Sequence, residues 1–201
     1  MSRSDALQVF LDTAFVAFDR FAHDQRARQS IAQIFSNLEV PQPERSGISK
    51  RLPVCDRYLE NALALKTEQP VLVKLLEQFK ALEPLLDWKQ RSTHDGSASE
   101  NFPMGHANTM IVGPGGLEDR GDVWLGATLM APNVRYPDHD HPPEETYLVL
   151  SDGEFRQGDS EWFSPGVGGS FYNPPGIKHA MQSGKKPLFA LWALRLERTE
   201  H

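Results

Sequence analysis

The chain has 201 residues, 39% of them hydrophobic, and a formal net charge of −6, the balance of an ordinary soluble globular protein long enough to bury a real core. That acidity argues against nucleic acid as the main partner and leaves a cationic small molecule permissible as a ligand, while no apolar run approaches the roughly 18 residues of a membrane span. The single Cys55 cannot form an internal disulfide, so the fold does not depend on an oxidising compartment and the cytoplasm is the default location.

The first ninety residues read as helices. From Ser2, with Asp5 three residues on as a capping box, Leu7, Phe10, Leu11, Ala14, Phe15, Phe18 and Phe21 recur at three- and four-residue steps and mark one buried face. Asp5, Asp12 and Asp19 interrupt that stretch and no basic leader precedes it, so it is not read as a signal peptide. A second helix carries Ile31, Ile34, Phe35 and Leu38, and the segment 39–53, with Pro41, Pro43, Gly47 and Pro53, is a loop long enough to act as a lid. Two further helical patterns cover 54–65 and 71 toward Trp88, with Pro84 kinking or ending the last.

After Trp88 the character changes. Residues 92–105 are polar, and beyond them short apolar runs alternate with Gly and Pro clusters, predicting strands at 109–112, 123–131, 146–150, 154–157, 170–172 and 188–196. Short strands separated by turns over some ninety-five residues fit one small barrel. The expected fold is therefore mainly β: a helical extension, 1–105, packed on a barrel, 106–201. A separate helical domain is the alternative.

The chemistry concentrates in His139-Asp140-His141-Pro142-Pro143-Glu144-Glu145-Thr146-Tyr147 and Pro174-Pro175-Gly176-Ile177-Lys178-His179. Strand side chains alternate, so His139 and His141 share a face, as do Glu145 and Tyr147. Pro142-Pro143 is expected to fold the two strands beside each other, and the rigid turn at 174–176 to start a third strand at His179. Three imidazoles and a carboxylate suit one divalent ion of zinc, iron, manganese, cobalt or nickel, and ligand type does not choose among them. His23, His94, His106 and His201 have no ligand-spaced partner.

These residues resemble the two motifs of the cupin superfamily: His-x-His, three residues, Glu, with Gly153 as the following glycine, and then Pro-x-Gly, two residues, His. A later Asn common in cupins is absent, Ser183 and Gly184 standing in that region. The resemblance implies a single-domain cupin barrel, a double-stranded β-helix, but not a reaction. Tyr147, on the ligand face, and Tyr136, three residues before His139, narrow it. A phenol near a divalent cation is a competent general base, and a base beside a Lewis acid suits abstraction of a proton next to a carboxylate.

With those tyrosines the pattern looks like the bacterial cupin-type dimethylsulfoniopropionate (DMSP) lyases of the DddQ type. The resemblance implies that His139, His141, Glu145 and His179 are metal ligands, that Tyr147 is the base, and that Tyr136 positions substrate or is an alternative base. It also implies β-elimination from a zwitterionic sulfonium carboxylate, giving dimethyl sulfide and acrylate. Trp192 belongs to the consistently apolar face of the last strand and is a candidate aromatic surface for the sulfonium. The other readings are a cupin Fe(II) dioxygenase acting on a small thiol or acid, and a non-catalytic ligand-binding cupin. The protein is expected as a monomer or homodimer.

Overall fold

The structure is a computed structural model that describes residues 3–45, 49–64, 67–92 and 95–196. Ser2, Gly47, Leu65, His94 and His201 lie outside the described residues. Helix α1, Asp5–Phe21, is capped by the Ser4 hydroxyl, which accepts from the Leu7 amide at 3.3 Å. Asp24 caps α2, Gln25–Leu38, by accepting from the Arg26 amide. Both α3, Pro53–Leu63, and α4, Pro70–Leu82, start on proline, where the missing N–H has no intrahelical acceptor to lose. The last helical pattern stops short of Trp88: Pro84 falls in a 3-10 turn, Glu83–Leu85, and Trp88 opens the short strand β1, Trp88–Lys89.

A four-residue helix α5, Phe102–Gly105, leads into β2, His106–Val112, which starts three residues before the strand expected at 109–112. The remaining strands are β3, Val123–Met130; β4, Glu144–Val149; β5, Glu154–Gln157; β6, Ser170–Asn173; β7, His179–Gln182; and β8, Leu188–Arg195. They form a six-stranded antiparallel sheet in the order β1-β2-β3-β8-β4-β6 and a two-stranded sheet, β5-β7. This is the small antiparallel barrel of the cupin class, preceded by helices.

One local expectation fails. The segment before Pro142 does not pair with β4; it lies against β7 through the bridges Arg135↔Gln182 and His139↔His179. Pro142-Pro143 therefore carries the chain from the small sheet to the large one instead of closing a hairpin. Ser183, in the region where the cupin Asn is absent, clamps the same segment: its hydroxyl accepts from the Val134 amide and donates to the Ala131 carbonyl.

The central strands β3 and β8 of the large sheet are buried on both faces over most of their length. Leu125, Ala127, Leu129, Phe189, Leu191 and Ala193 face the helices, where the Phe79 and Phe189 rings stand 5.0 Å apart. The alternate positions face the interior between the sheets. Among the described residues no helix is long and apolar enough to cross a membrane.

Candidate metal centre

The backbone places the ligands before the side chains do. His139 and His179 exchange both backbone hydrogen bonds, at 3.0 and 2.8 Å, and this antiparallel pair sets their rings side by side with centroids 4.1 Å apart. His179 is delivered by a turn in which the Ile177 amide donates to the Pro174 carbonyl at 3.1 Å. Pro175 supplies the fixed first corner and Gly176, at φ 70°, the left-handed second corner that a side chain would disfavour. The Gly176 amide also donates to the His141 carbonyl, holding that residue over the same turn.

Every imidazole is aimed by its own main chain. The Nδ1 atoms of His139, His141 and His179 lie 2.9 Å from the carbonyls of Pro137, Pro143 and Ile177. With Nδ1–H donating there, each Nε2 lone pair is left to the centre. Ligand atoms of the three residues all lie within 4.8 Å of one another. Glu145 Oε2, on β4 of the facing sheet, is 3.4 Å from His141 Nε2 and 3.3 Å from His179 Nε2. Atoms bound tetrahedrally at about 2.0–2.1 Å from one ion are separated by about 3.3 Å. His179 Nε2 is buried and has no hydrogen-bond partner, an acceptor that an ion would satisfy. The residues fit a divalent metal.

The electrostatics agree. Burial, and then the charge of His179, lower His139 to about 3, so it is a neutral donor over the ordinary pH range. Burial opposes charge on Glu145, but the adjacent His141 and His179 imidazoles outweigh it and hold the carboxyl well below its usual range. At His141 burial is likewise outweighed, here by Glu145, and the net shift is upward.

A cavity of about 190 Å³ opens onto this centre and brings Tyr136, His139, His141, Glu145, Tyr147 and Trp192 to one wall space. That is the room of about six waters, suited to a small molecule. Burial pushes both phenols up; Glu145 adds to the rise at Tyr147, whereas hydrogen bonds and charge from Asn108 and Arg91 oppose it at Tyr136. His106 is fully buried and stands outside the ligand set: its Nε2 accepts from the Arg91 amide and its Nδ1 faces the Phe102 carbonyl. No described residue of the 39–53 loop lines this cavity; Arg45 pairs with Asp87 and Glu44 bonds to Ser4 instead. Arg91, Asn108 and Thr128 line the cavity without having been singled out from the sequence. For Asn108 and Thr128 the signal was the polar residue at an inward position of an apolar strand, whereas Arg91 follows β1 outside any strand.

A family model described as DMSP lyase matches residues 26–190. The curated DMSP lyase DddQ of Ruegeria pomeroyi is 28% identical over 117 residues, a stretch covering 57% of this chain and 57% of that protein. The crystal structure of DddQ from Ruegeria pomeroyi DSS-3 superposes with a TM-score of 0.74 at 24% identity, covering 98% of this chain and 95% of the other. A solved chain described under the DMSP lyases RdDddP and RnDddQII gives 0.73 at 20% identity, with 96% and 94% covered. The family match runs from α2 through the whole candidate metal centre into β8, and on that extent the chain belongs to the DMSP lyase family.

Proposed function

We propose that the chain cleaves dimethylsulfoniopropionate to dimethyl sulfide and acrylate by base-initiated β-elimination. The observation that carries this reading is the juxtaposition, around one small cavity, of His139, His141 and Glu145, two buried phenols and the Trp192 indole, with the fourth candidate ligand, His179, paired to His139 behind it. The relatives' names point to the same substrate. His139, His141, His179 and Glu145 would hold the metal. When bound there, a divalent ion supplies Lewis-acid stabilisation of the charge that develops beside the substrate carboxylate.

The protein's own part is to hold the zwitterion and take a proton. The indole offers a π-face to the sulfonium, worth about 0.5–2 kcal/mol. Two features support giving the proton to Tyr136 rather than, as the family resemblance implies, to Tyr147. The Tyr136 oxygen already accepts a hydrogen bond from Asn108 Nδ2 at 3.0 Å, which a phenolate would keep, whereas Arg91 favours the ionised form of both phenols. Tyr147 instead has the Glu145 carboxylate beside it, which holds the proton on the phenol. As the α proton leaves, the C–H pair becomes the double bond and the C–S pair departs on sulfur. The leaving group is a neutral thioether and needs no acid.

Headspace dimethyl sulfide, assayed with zinc-, iron- or manganese-loaded protein against a chelated control, tests the reading. Release above the control is expected, and none with any loaded metal overturns it. Tyr136→Phe should lose at least about 100-fold in turnover while keeping metal and fold, with Tyr147→Phe losing less. The reverse ranking returns the base to Tyr147.

A further inference from the structure

A continuous hydrogen-bonded chain crosses the inward face of the large sheet from the indole to the phenol. Trp192 Nε1 donates to Thr128 Oγ1 at 3.1 Å, Thr128 Oγ1 donates to Asn108 Oδ1 at 2.6 Å, and Asn108 Nδ2 donates to the Tyr136 oxygen at 3.0 Å. The register makes this possible: Thr128 and Asn108 are direct partners across β3 and β2, and Trp192 faces Gly126 across β8 and β3. Gly126 is part of the same arrangement. A Cβ there would overlap Trp192 Cη2 and Cζ2 and the Thr109 carbonyl, so the missing side chain is the space in which the indole lies.

All donors in this chain point the same way, each polarising the next. Thr128 is buried, and apolar residues of the same shapes would fill such positions with little loss of stability. The polar pair thus calls for a reason beyond packing. Both ends of the chain, Trp192 and Tyr136, are cavity-lining groups, and Tyr136 is further fixed by its amide, which donates to the Met181 carbonyl at 2.8 Å.

We propose that Thr128 and Asn108 are positioning residues that hold the Trp192 indole and the Tyr136 phenol at one fixed spacing, and that this spacing selects the length of the onium carboxylate the cavity accepts. The inference rests on the lyase reading above for the roles of indole and phenol. It makes Thr128 the pivot, since its one hydroxyl serves both neighbours.

The test uses full-length, zinc-loaded protein with Thr128→Val, which keeps shape and removes both hydrogen bonds, and Thr128→Ser, which restores the hydroxyl. Two readouts are needed. The first is kcat and KM for dimethyl sulfide release; the second is the calorimetric Kd of two ammonium probes, 3-(trimethylammonio)propanoate, whose amine is a poorer leaving group than a thioether, and the one-methylene-shorter 2-(trimethylammonio)acetate. The valine variant should raise KM about five- to tenfold and lose most of the wild-type preference for the longer probe. The serine variant should recover both to within about threefold, with zinc affinity and Tm unchanged throughout. Wild-type kinetics in Thr128→Val, or a Thr128→Ser as impaired as the valine variant, overturns the proposal. So does a wild-type protein that binds the two probes equally or not at all. A wild type that prefers the longer probe through Thr128 yet releases no dimethyl sulfide sinks the lyase reading and leaves the spacing proposal standing.

Discussion

His139 is the candidate ligand whose protonation the fold resists most strongly, and this has a consequence for the metal-free protein. Burial and His179 lower it from 6.5 to about 3, so between those values the unfolded chain takes up a proton that the folded chain refuses. Stability must then fall as pH drops through that window. Glu145, held below its usual range, acts in the same direction lower down: its contribution is present above the unfolded carboxyl value and lost on acidification. His141, shifted up, acts the opposite way, contributing below the unfolded imidazole value and losing that as pH rises through its folded one. Between pH 5.5 and 7.5 Glu145 stays ionised in both states, so His139 is set against His141 alone, and the His139 shift is the larger. Urea midpoints of chelated protein are expected to be lower at pH 5.5 than at 7.5, and His139→Gln should flatten the difference. A midpoint that does not fall would mean that His139 is not held neutral.

The carboxylate opposite is oriented by a relay of its own. Asn173, fully buried, donates from Nδ2 to Glu145 Oε2 at 2.9 Å, and its Oδ1 accepts from Gln157 Nε2 at 2.6 Å. That second bond fixes which way the amide faces. Such outer contacts typically carry 10- to 100-fold in metal affinity, so Asn173→Ala should weaken zinc binding by about that factor in a chelator competition. Unchanged affinity would show that the histidines alone orient Glu145.

The strands explain how much of the site was legible in advance. The candidate ligands stood out in the sequence because alternation and the Pro174-Pro175-Gly176 turn are local rules, and the structure places Glu145 and Tyr147 on one face and starts β7 at His179. The partner of His139 could not. Two prolines between two polar-apolar segments look like a hairpin turn, but pairing is a long-range choice, and here β7 supplies the partner. The Trp192–Thr128–Asn108 chain was hidden for a related reason, since a one-residue change of register would send its members to opposite faces. Gly126 shows the constraint most directly. Gly126→Ala must push the indole off the sheet or part β2 from β3, so it should cost about 1–3 kcal/mol in stability and raise KM for the sulfonium. A thermal midpoint equal to wild type would show that the strands yield freely there.

Across the whole molecule, the helices and the barrel share one apolar core rather than meeting at a surface. Phe79 of α4 is fully buried with its ring 6.4 Å from Phe10 of α1, 6.3 Å from Trp88 of β1 and 5.0 Å from Phe189 of β8. Arg3, before α1, is tied to Glu118 in the connection between β2 and β3 by a buried ion pair at 2.7 Å, and Arg120 bonds the same carboxylate and the Asn37 carbonyl of α2. Helices with a core of their own could melt separately. Helices that complete the sheet's outer face cannot leave without exposing Phe189, Leu191 and Ala193. Truncating Phe79 to Ala should therefore cost about 3–5 kcal/mol and lower the denaturant midpoint of the barrel together with that of the helices. Far-UV circular dichroism, which follows the helices, and zinc retention, which follows the barrel, should give coincident transitions in wild type and variant alike. Helical signal lost well before zinc would instead divide the chain into two independently folding parts.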